Sequence, residues 1–194
     1  MAGLVLVTPP QEEPLSLGEA KDHLRVTSTG EDSLIGRLIV TARQSVERRL
    51  GRALPTQTYD YFLDAFPRGD AIEVPRPPLQ SVTSVKYTPD GGVETTFASA
   101  DYLVDTTGHP GRIVLGVSEA WPSDQLQAIN GLVVRFVAGY GNTPTDIPEP
   151  IRQAVLIYLA TLFEHREAVV AGTTVSPLPT VDRLLDPYIW RRVV

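Results

Sequence analysis

The sequence predicts an α+β protein, a small helical bundle with an inserted antiparallel β module and an extended C-terminal tail. Two helical patterns precede residue 54, short Pro- and Gly-punctuated segments fill residues 55–141, and a third helical pattern lies within residues 142–171. An amphipathic helix must bury its apolar stripe against a partner. Residues 1–54 and 142–171 are therefore expected to share one helical body, with the β module inserted and residues 172–194 forming the tail.

The last helix has the clearest pattern. Its apolar residues recur at i, i+3, i+4, i+7, i+8, i+11 and i+12, forming one continuous stripe. These residues are Ile151, Ala154, Val155, Tyr158, Leu159, Leu162 and Phe163. The helix begins at a proline-rich, acidic turn, as helix N-termini favour.

Two N-terminal helices are its expected partners. Ser16 and Glu19 have the spacing of a capping box, which predicts a helix from residue 17 to about 25. The second helix begins near Asp32 or Ser33 and ends at residue 50, where Gly51 is placed to adopt the left-handed conformation that closes many helices.

The middle of the chain predicts short strands separated by turns. Residues 89–92 (Pro-Asp-Gly-Gly) are a hairpin signal, because glycine readily adopts positive φ. Prolines 75, 77 and 78 exclude a helix interior. The spacing is typical of a small antiparallel sandwich or barrel. Strands are expected near residues 56–64, 71–74, 82–88, 93–97, 102–105, 112–115 and 132–138.

Composition limits the classes of function. The 194 residues include no cysteine, which rules out disulfides and Cys-based metal sites or nucleophiles and suits a reducing compartment. We expect a cytosolic chain that does not span a membrane, because its longest apolar runs fall far short of ~20 residues. The net charge is −6, and the 17 Lys and Arg are scattered along the sequence, which argues against tight DNA binding.

No residue pattern predicts catalysis, a metal or a cofactor. His23, His109 and His165 lie far apart in sequence and on different predicted elements. Asp101 and Asp105 could form a carboxylate pair, but they are better explained as turn residues that bracket a strand. The serines lack a nucleophile-elbow context. We therefore expect a protein that is not an enzyme.

The tail contains the candidate partner-binding residues. Prolines 177, 179 and 187 prevent a long helix, although a short turn of helix is expected within residues 181–190. The tail is nevertheless too apolar to be a solvated end, and aromatic and Arg residues dominate interface hot spots. The candidates are Leu184, Leu185, Tyr188, Ile189, Trp190, Arg191 and Arg192. The alternative is a tail that folds back onto its own subunit. Trp121, the other tryptophan, is expected in the core of the β module.

Residues 14–168 contain an ordered series of motifs that resembles a known family. The series begins with LSLGEAKDHLR at 15–25 and EDSLI at 31–35, and continues with PRPPLQSV at 75–82 and FVAGYG at 136–141. Trp121-Pro122 and the closing helix complete it. This series is similar to the head-tail connector (adaptor) proteins of tailed phages and phage-derived gene transfer agents, in their larger, β-inserted branch.

The resemblance implies a structural role in a virion or virus-like particle. By this resemblance the protein would form a ring, commonly dodecameric in the family, between the portal of a DNA-filled capsid and the tail or its stopper. DNA passes through the channel without specific binding. The tail residues 184–192 would then bind the portal protein, and the chain would be synthesised in the host cytoplasm. The alternative is a stand-alone ligand- or carbohydrate-binding β module with helical flanks, which exposed aromatics on one sheet face would favour; an enzyme is a third possibility.

Overall fold

The computed structural model describes residues 3–165 and 179–190, which form two compact units. The β unit joins Met1–Pro10 to Thr56–Tyr140, and the helical unit joins Gln11–Pro55 to Gly141–Val194. The predicted α+β architecture, with a β module inserted into a helical body, is confirmed. Residues 1–10, which we expected in the helical body, instead belong to the β unit.

Three helices form the centre of the helical unit: α1 (Leu17–Leu24), α2 (Asp32–Leu50) and α3 (Glu149–Glu164). Each contacts the other two, so the predicted shared core is confirmed. Their buried apolar side chains recur at helical spacing. These are Ala20, Ile35, Ile39, Ala42, Val46, Leu50, Ile151, Ala154, Val155 and Leu159.

The ends of these helices follow the predicted local signals. The Glu19 N–H donates to Ser16 Oγ at 3.1 Å, and the Ser16 N–H donates to Glu19 Oε2 at 2.8 Å, completing the capping box of α1. Gly51 ends α2 with φ of 68°. At the start of α3, the Arg152 guanidinium contacts both the Pro14 carbonyl and the Glu19 carboxylate, which ties α3 to the beginning of α1.

The larger sheet of the β unit has five antiparallel strands, which in their order across the sheet are β1 (Gly3–Thr8), β2 (Gln57–Leu63), β8 (Leu132–Ala138), β4 (Leu79–Tyr87) and β5 (Thr95–Phe97). Its central strand alternates buried and less buried residues at period two, with Leu132, Val134, Phe136 and Ala138 fully buried.

A smaller sheet accounts for the remaining strands. It has the order β3-β7-β6, from β3 (Ala71–Val74), β6 (Tyr102–Asp105) and β7 (Gly111–Leu115). Both sheets are antiparallel throughout, as the short, turn-separated segments predicted. The predicted 89–92 turn joins β4 to β5, and Gly91 there has φ of 68°.

A substitution at Leu159 can test the core of the helical unit, because this side chain of α3 is fully buried. We expect Leu159→Ala to lower the free energy of unfolding by about 2–5 kcal/mol through lost burial and the cavity it leaves. Leu162→Ala, a half-buried position on the same helix, is the matched control and should cost less. Urea unfolding followed by circular dichroism measures both. A loss below about 0.5 kcal/mol at Leu159, the range of a surface substitution, would contradict the shared core.

Candidate interaction surfaces

The C-terminal segment, defined here as residues 179–190, folds onto the helical unit. It consists of a short helix, α4 (Pro179–Leu185), and a single 3-10 turn, Asp186–Tyr188. α4 packs against α3, and its apolar residues Val181 and Leu185 are buried, with exposed fractions of 4% and 0%. The segment therefore contributes to the core of its own subunit.

The far end of this segment is anchored at the C-terminal end of α2. The Trp190 N–H donates to the Leu50 carbonyl at 2.9 Å, which satisfies one of the carbonyls left unpaired where a helix ends. Arg52 Nε donates to the Tyr188 carbonyl at 2.5 Å. An ion pair of 2.8 Å joins Arg49 to Asp182 on α4. Three polar contacts thus hold the segment along its length.

Gly51 has a second role that the sequence did not reveal. A Cβ at this position would lie 3.1 Å from the Trp190 carbonyl oxygen and 3.3 Å from Trp190 Cε3. The positive φ already favours glycine, and the indole packs directly against its backbone. The same residue therefore ends α2 and leaves room for Trp190 to pack against its backbone.

The predicted partner-binding residues fall into three groups in the structure. Leu185 is fully buried in its own subunit, so its side chain cannot reach a partner unless the segment moves. Leu184, Tyr188, Ile189 and Trp190 are half-buried and keep part of their surface accessible. Arg191 and Arg192 lie outside the described residues. The contact of these residues with a portal protein stays a prediction.

The edge strand β1 is a second candidate surface. Val5, Leu6 and Val7 are 52%, 45% and 42% exposed, and β1 pairs only with β2 in the sheets as described. An edge strand of this kind presents apolar side chains together with main-chain hydrogen-bonding groups, and soluble proteins usually protect such edges. Pro9 and Pro10 follow the strand and limit its extension.

Aromatic residues of the β unit pack together. Trp121 stacks on Phe66 with ring centroids 5.2 Å apart, and its Nε1–H donates to the Gly69 carbonyl at 2.9 Å. Phe97 joins the cluster against Tyr102 and Trp121. Across residues 3–165 and 179–190 every aromatic residue is buried or half-buried. The open aromatic platform that a carbohydrate-binding module would require is therefore missing from the described surface.

Asp105, one of the two carboxylates considered for catalysis, holds a turn. Its Oδ1 accepts hydrogen bonds from the Thr107 hydroxyl at 2.7 Å and the Thr107 N–H at 3.0 Å, and its Oδ2 forms an ion pair with Arg112. Hydrogen bonds from Thr107 have the largest effect, followed by those from Arg112, and together they hold the pKa of Asp105 well below its usual range.

Within the described residues, no group of His, Asp and Glu side chains could hold a metal ion. No described helix is long and apolar enough to cross a membrane.

Asp105 should therefore remain ionised under acidic conditions. Its folded pKa lies below the ordinary 3.8, so its stabilising contacts are complete above that value and are lost as pH falls through the folded pKa. We expect the carboxyl carbon signal of Asp105 in an NMR titration to stay that of the ionised form at about pH 3. Arg112→Gln should raise the pKa. An ordinary titration of Asp105 in the unsubstituted protein would contradict this network.

Comparisons with known proteins support the resemblance seen in the sequence. Residues 14–89 match the family model of the phage gp6-like head-tail connector protein. This match covers α1, α2 and the chain through β4. Comparison with curated protein sequences gives no significant match.

Solved structures match over nearly the whole chain. A chain of the "neck of empty GTA particle computed with C6 symmetry" is 26% identical, with a TM-score of 0.78, over 99% of this chain and 97% of that one. A chain of the "virion of native gene transfer agent (GTA) particle" is 24% identical, with a TM-score of 0.79, over 98% and 97%. A chain of the "neck of native GTA particle computed with C12 symmetry" is 24% identical, with a TM-score of 0.72, over 100% and 97%.

Proposed function

We propose that this protein is a structural connector at the head-tail junction of a phage or gene transfer agent particle, a role supported by the match of residues 14–89 to the family model of the phage gp6-like head-tail connector protein. The observation that carries the proposal is the similarity in fold, over 99% of this chain and 97% of the other, to a chain from the neck of a GTA particle, at 26% identity. A non-enzymatic role agrees with the structural use of Asp105 in a turn.

In this proposal the protein forms a homo-oligomeric ring of twelve subunits around a channel for DNA. The C12 and C6 symmetries of the related necks support a ring of this order. A heterologous contact repeated around a closed ring needs two different surfaces on each subunit. The apolar edge of β1 is suited to be one of them, because strand addition supplies main-chain hydrogen bonds together with side-chain contacts.

The electrostatics of the chain suit a channel through which DNA slides. The net charge of −6 provides few cations that could hold phosphates along the path. The ring would meet the portal protein on one side and the tail or its stopper on the other. The C-terminal residues Leu184, Tyr188, Ile189, Trp190, Arg191 and Arg192 are the proposed portal contact, and Leu185 is buried in its own subunit.

Electron microscopy of particles made without this protein tests the proposal. We expect DNA-filled heads and separate tails to accumulate, because the joining ring is missing. Supplying the unsubstituted protein in trans should restore complete particles, and supplying an unrelated virion protein should not. Complete tailed particles formed in its absence would show that the protein is not the connector.

A further inference from the structure

The edge strands of the two sheets differ in how they are protected. In the described sheets the edges are β1 and β5 of the larger sheet and β3 and β6 of the smaller one. Natural sheet edges are usually short, charged or ended by proline. β5 has only three residues, and β3 exposes Glu73 and leads directly into Pro75. β1 and β6 instead expose apolar side chains.

β1 is exposed on both of its faces. Successive side chains of a strand point to opposite faces, and the consecutive residues Val5 and Leu6 are both exposed. A continuous apolar run such as residues 4–7 is typical of strands that are buried on both faces. The register shift of β1 lies between Leu6 and Thr8, which leaves residues 3–6 in regular pairing with β2. The strand therefore has the sequence of a covered strand, and the described part of its own subunit leaves it uncovered.

β6 has the same property. Leu103 and Val104 are consecutive and are 66% and 37% exposed, so apolar side chains again stand on both faces. The charge at the end of this strand, on Asp105, is already bound by Thr107 and Arg112. β1 and β6 belong to the same compact unit. Each subunit therefore carries two different apolar edges.

We propose that β1 of one subunit pairs with β6 of the next subunit in the ring, so that a second copy of this chain covers each edge. This inference rests on the proposed function. A cyclic ring is built from heterologous contacts, in which two different surfaces of each subunit meet. Pairing of β1 with β1 would instead give closed two-fold dimers. Pairing of β1 with β6 supplies main-chain hydrogen bonds and buries apolar side chains of both edges.

Cross-linking through introduced cysteines tests this inference, because the chain has no cysteine of its own. The full-length protein with Val5→Cys and Leu103→Cys is supplied in trans to particles made without the native protein. Purified tailed particles are treated with a short bismaleimide, which tolerates small shifts in strand register, and this protein is detected on a denaturing gel with an antibody. Val5→Cys combined with Val93→Cys is the matched control, since Val93 is 83% exposed between β4 and β5.

We expect a ladder of covalent multimers from the test variant, and none from the control or from either single variant. Dimers formed by Val5→Cys alone would show that two β1 edges meet and would overturn the choice of β6. Tailed particles that contain the test variant but yield no multimers would overturn the strand pairing and leave the connector function standing. Tailed particles that form without incorporating the protein would overturn the connector function and this inference with it.

Lysine substitutions give a second measurement that does not depend on cross-linking. We expect Val5→Lys and Leu103→Lys each to lower the yield of tailed particles at least about tenfold, because a lysine on either edge opposes strand addition. Val93→Lys should leave the yield unchanged. All three positions are exposed, so the thermal midpoint of each purified variant should match that of the unsubstituted protein. A normal yield of tailed particles from both edge variants would overturn the pairing.

Discussion

Removing residues 176–194 should prevent tails from joining heads and should also lower the stability of the subunit. The first effect follows from the proposed portal contact, which lies in this region. The second follows from the burial of Val181 and Leu185, each of which stabilises the fold by about 1.5–3 kcal/mol before the cost of ordering the segment. We expect the thermal midpoint to fall by several degrees, measured by calorimetry, and complete particles to be absent in electron micrographs.

Two variants separate these effects. Leu185→Ala keeps every exposed residue of the C-terminal segment but removes its buried anchor, so it should reproduce most of the loss in thermal midpoint. Arg191→Ala combined with Arg192→Ala keeps the buried anchor and should lower particle assembly with little change in thermal midpoint. If the truncated protein assembled complete tailed particles, the segment would have no role in attachment. If the truncation left the midpoint unchanged, the packing of Leu185 would not stabilise the subunit.

The helical unit was predictable because its signals are local. The capping box of Ser16 and Glu19, the stripe of α3 and the glycine after α2 each specify their own element within a few residues. Apolar stripes without another partner then required the helices to pack together. Strands β6 and β8 were predicted at the residues where they lie, since turn residues bound them closely.

Long-range contacts were not predictable in the same way. Residues 4–7 are four consecutive apolar residues, and Thr8 and then two prolines follow them, a pattern compatible with a strand. What makes β1 a strand is its pairing with β2, in which Leu4 faces Tyr61 and Leu6 faces Tyr59, about fifty-five residues away. Nothing in the first ten residues indicates that partner. The assignment of these residues to the helical body failed for this reason.

The candidate surface was predictable in part. The apolar and aromatic content of residues 184–190 indicated a binding role, but it fits burial in the same subunit equally well. Burial in the same subunit depends on two contacts far away in the sequence: Trp190 packs against the backbone of Gly51, and Arg52 binds the Tyr188 carbonyl. Only the fold places Arg49, at the end of α2, beside Asp182 of α4.

A buried charge network should give the largest loss of stability from a single side chain in the helical unit. Arg43 is buried and donates to Glu13 Oε2 from Nε and to Glu47 Oε2 from Nη1, both at 2.7 Å. Glu47, also buried, accepts the Leu54 N–H at 2.9 Å through its other oxygen. This network links the residues before α1, the end of α2 and the chain that follows it.

We expect Glu47→Ala to lower the free energy of unfolding by about 3–5 kcal/mol, because it leaves Arg43 with Glu13 alone and the Leu54 N–H without its carboxylate acceptor. Glu47→Gln should lose less, since its amide oxygen can still accept the Leu54 N–H. Chemical unfolding at neutral pH measures both variants.

Arg43→Met combined with Glu47→Leu removes both charges together and distinguishes charge pairing from packing. Replacing a whole buried ion pair by apolar residues of similar volume often costs little, because no charge is left buried without its partner. Here Glu13 also loses its partner, but its side chain is 26% exposed and can be hydrated. We therefore expect the double variant to be more stable than Glu47→Ala alone. A double variant at least as unstable as the sum of its two single variants would show that shape, rather than charge pairing, makes this site sensitive.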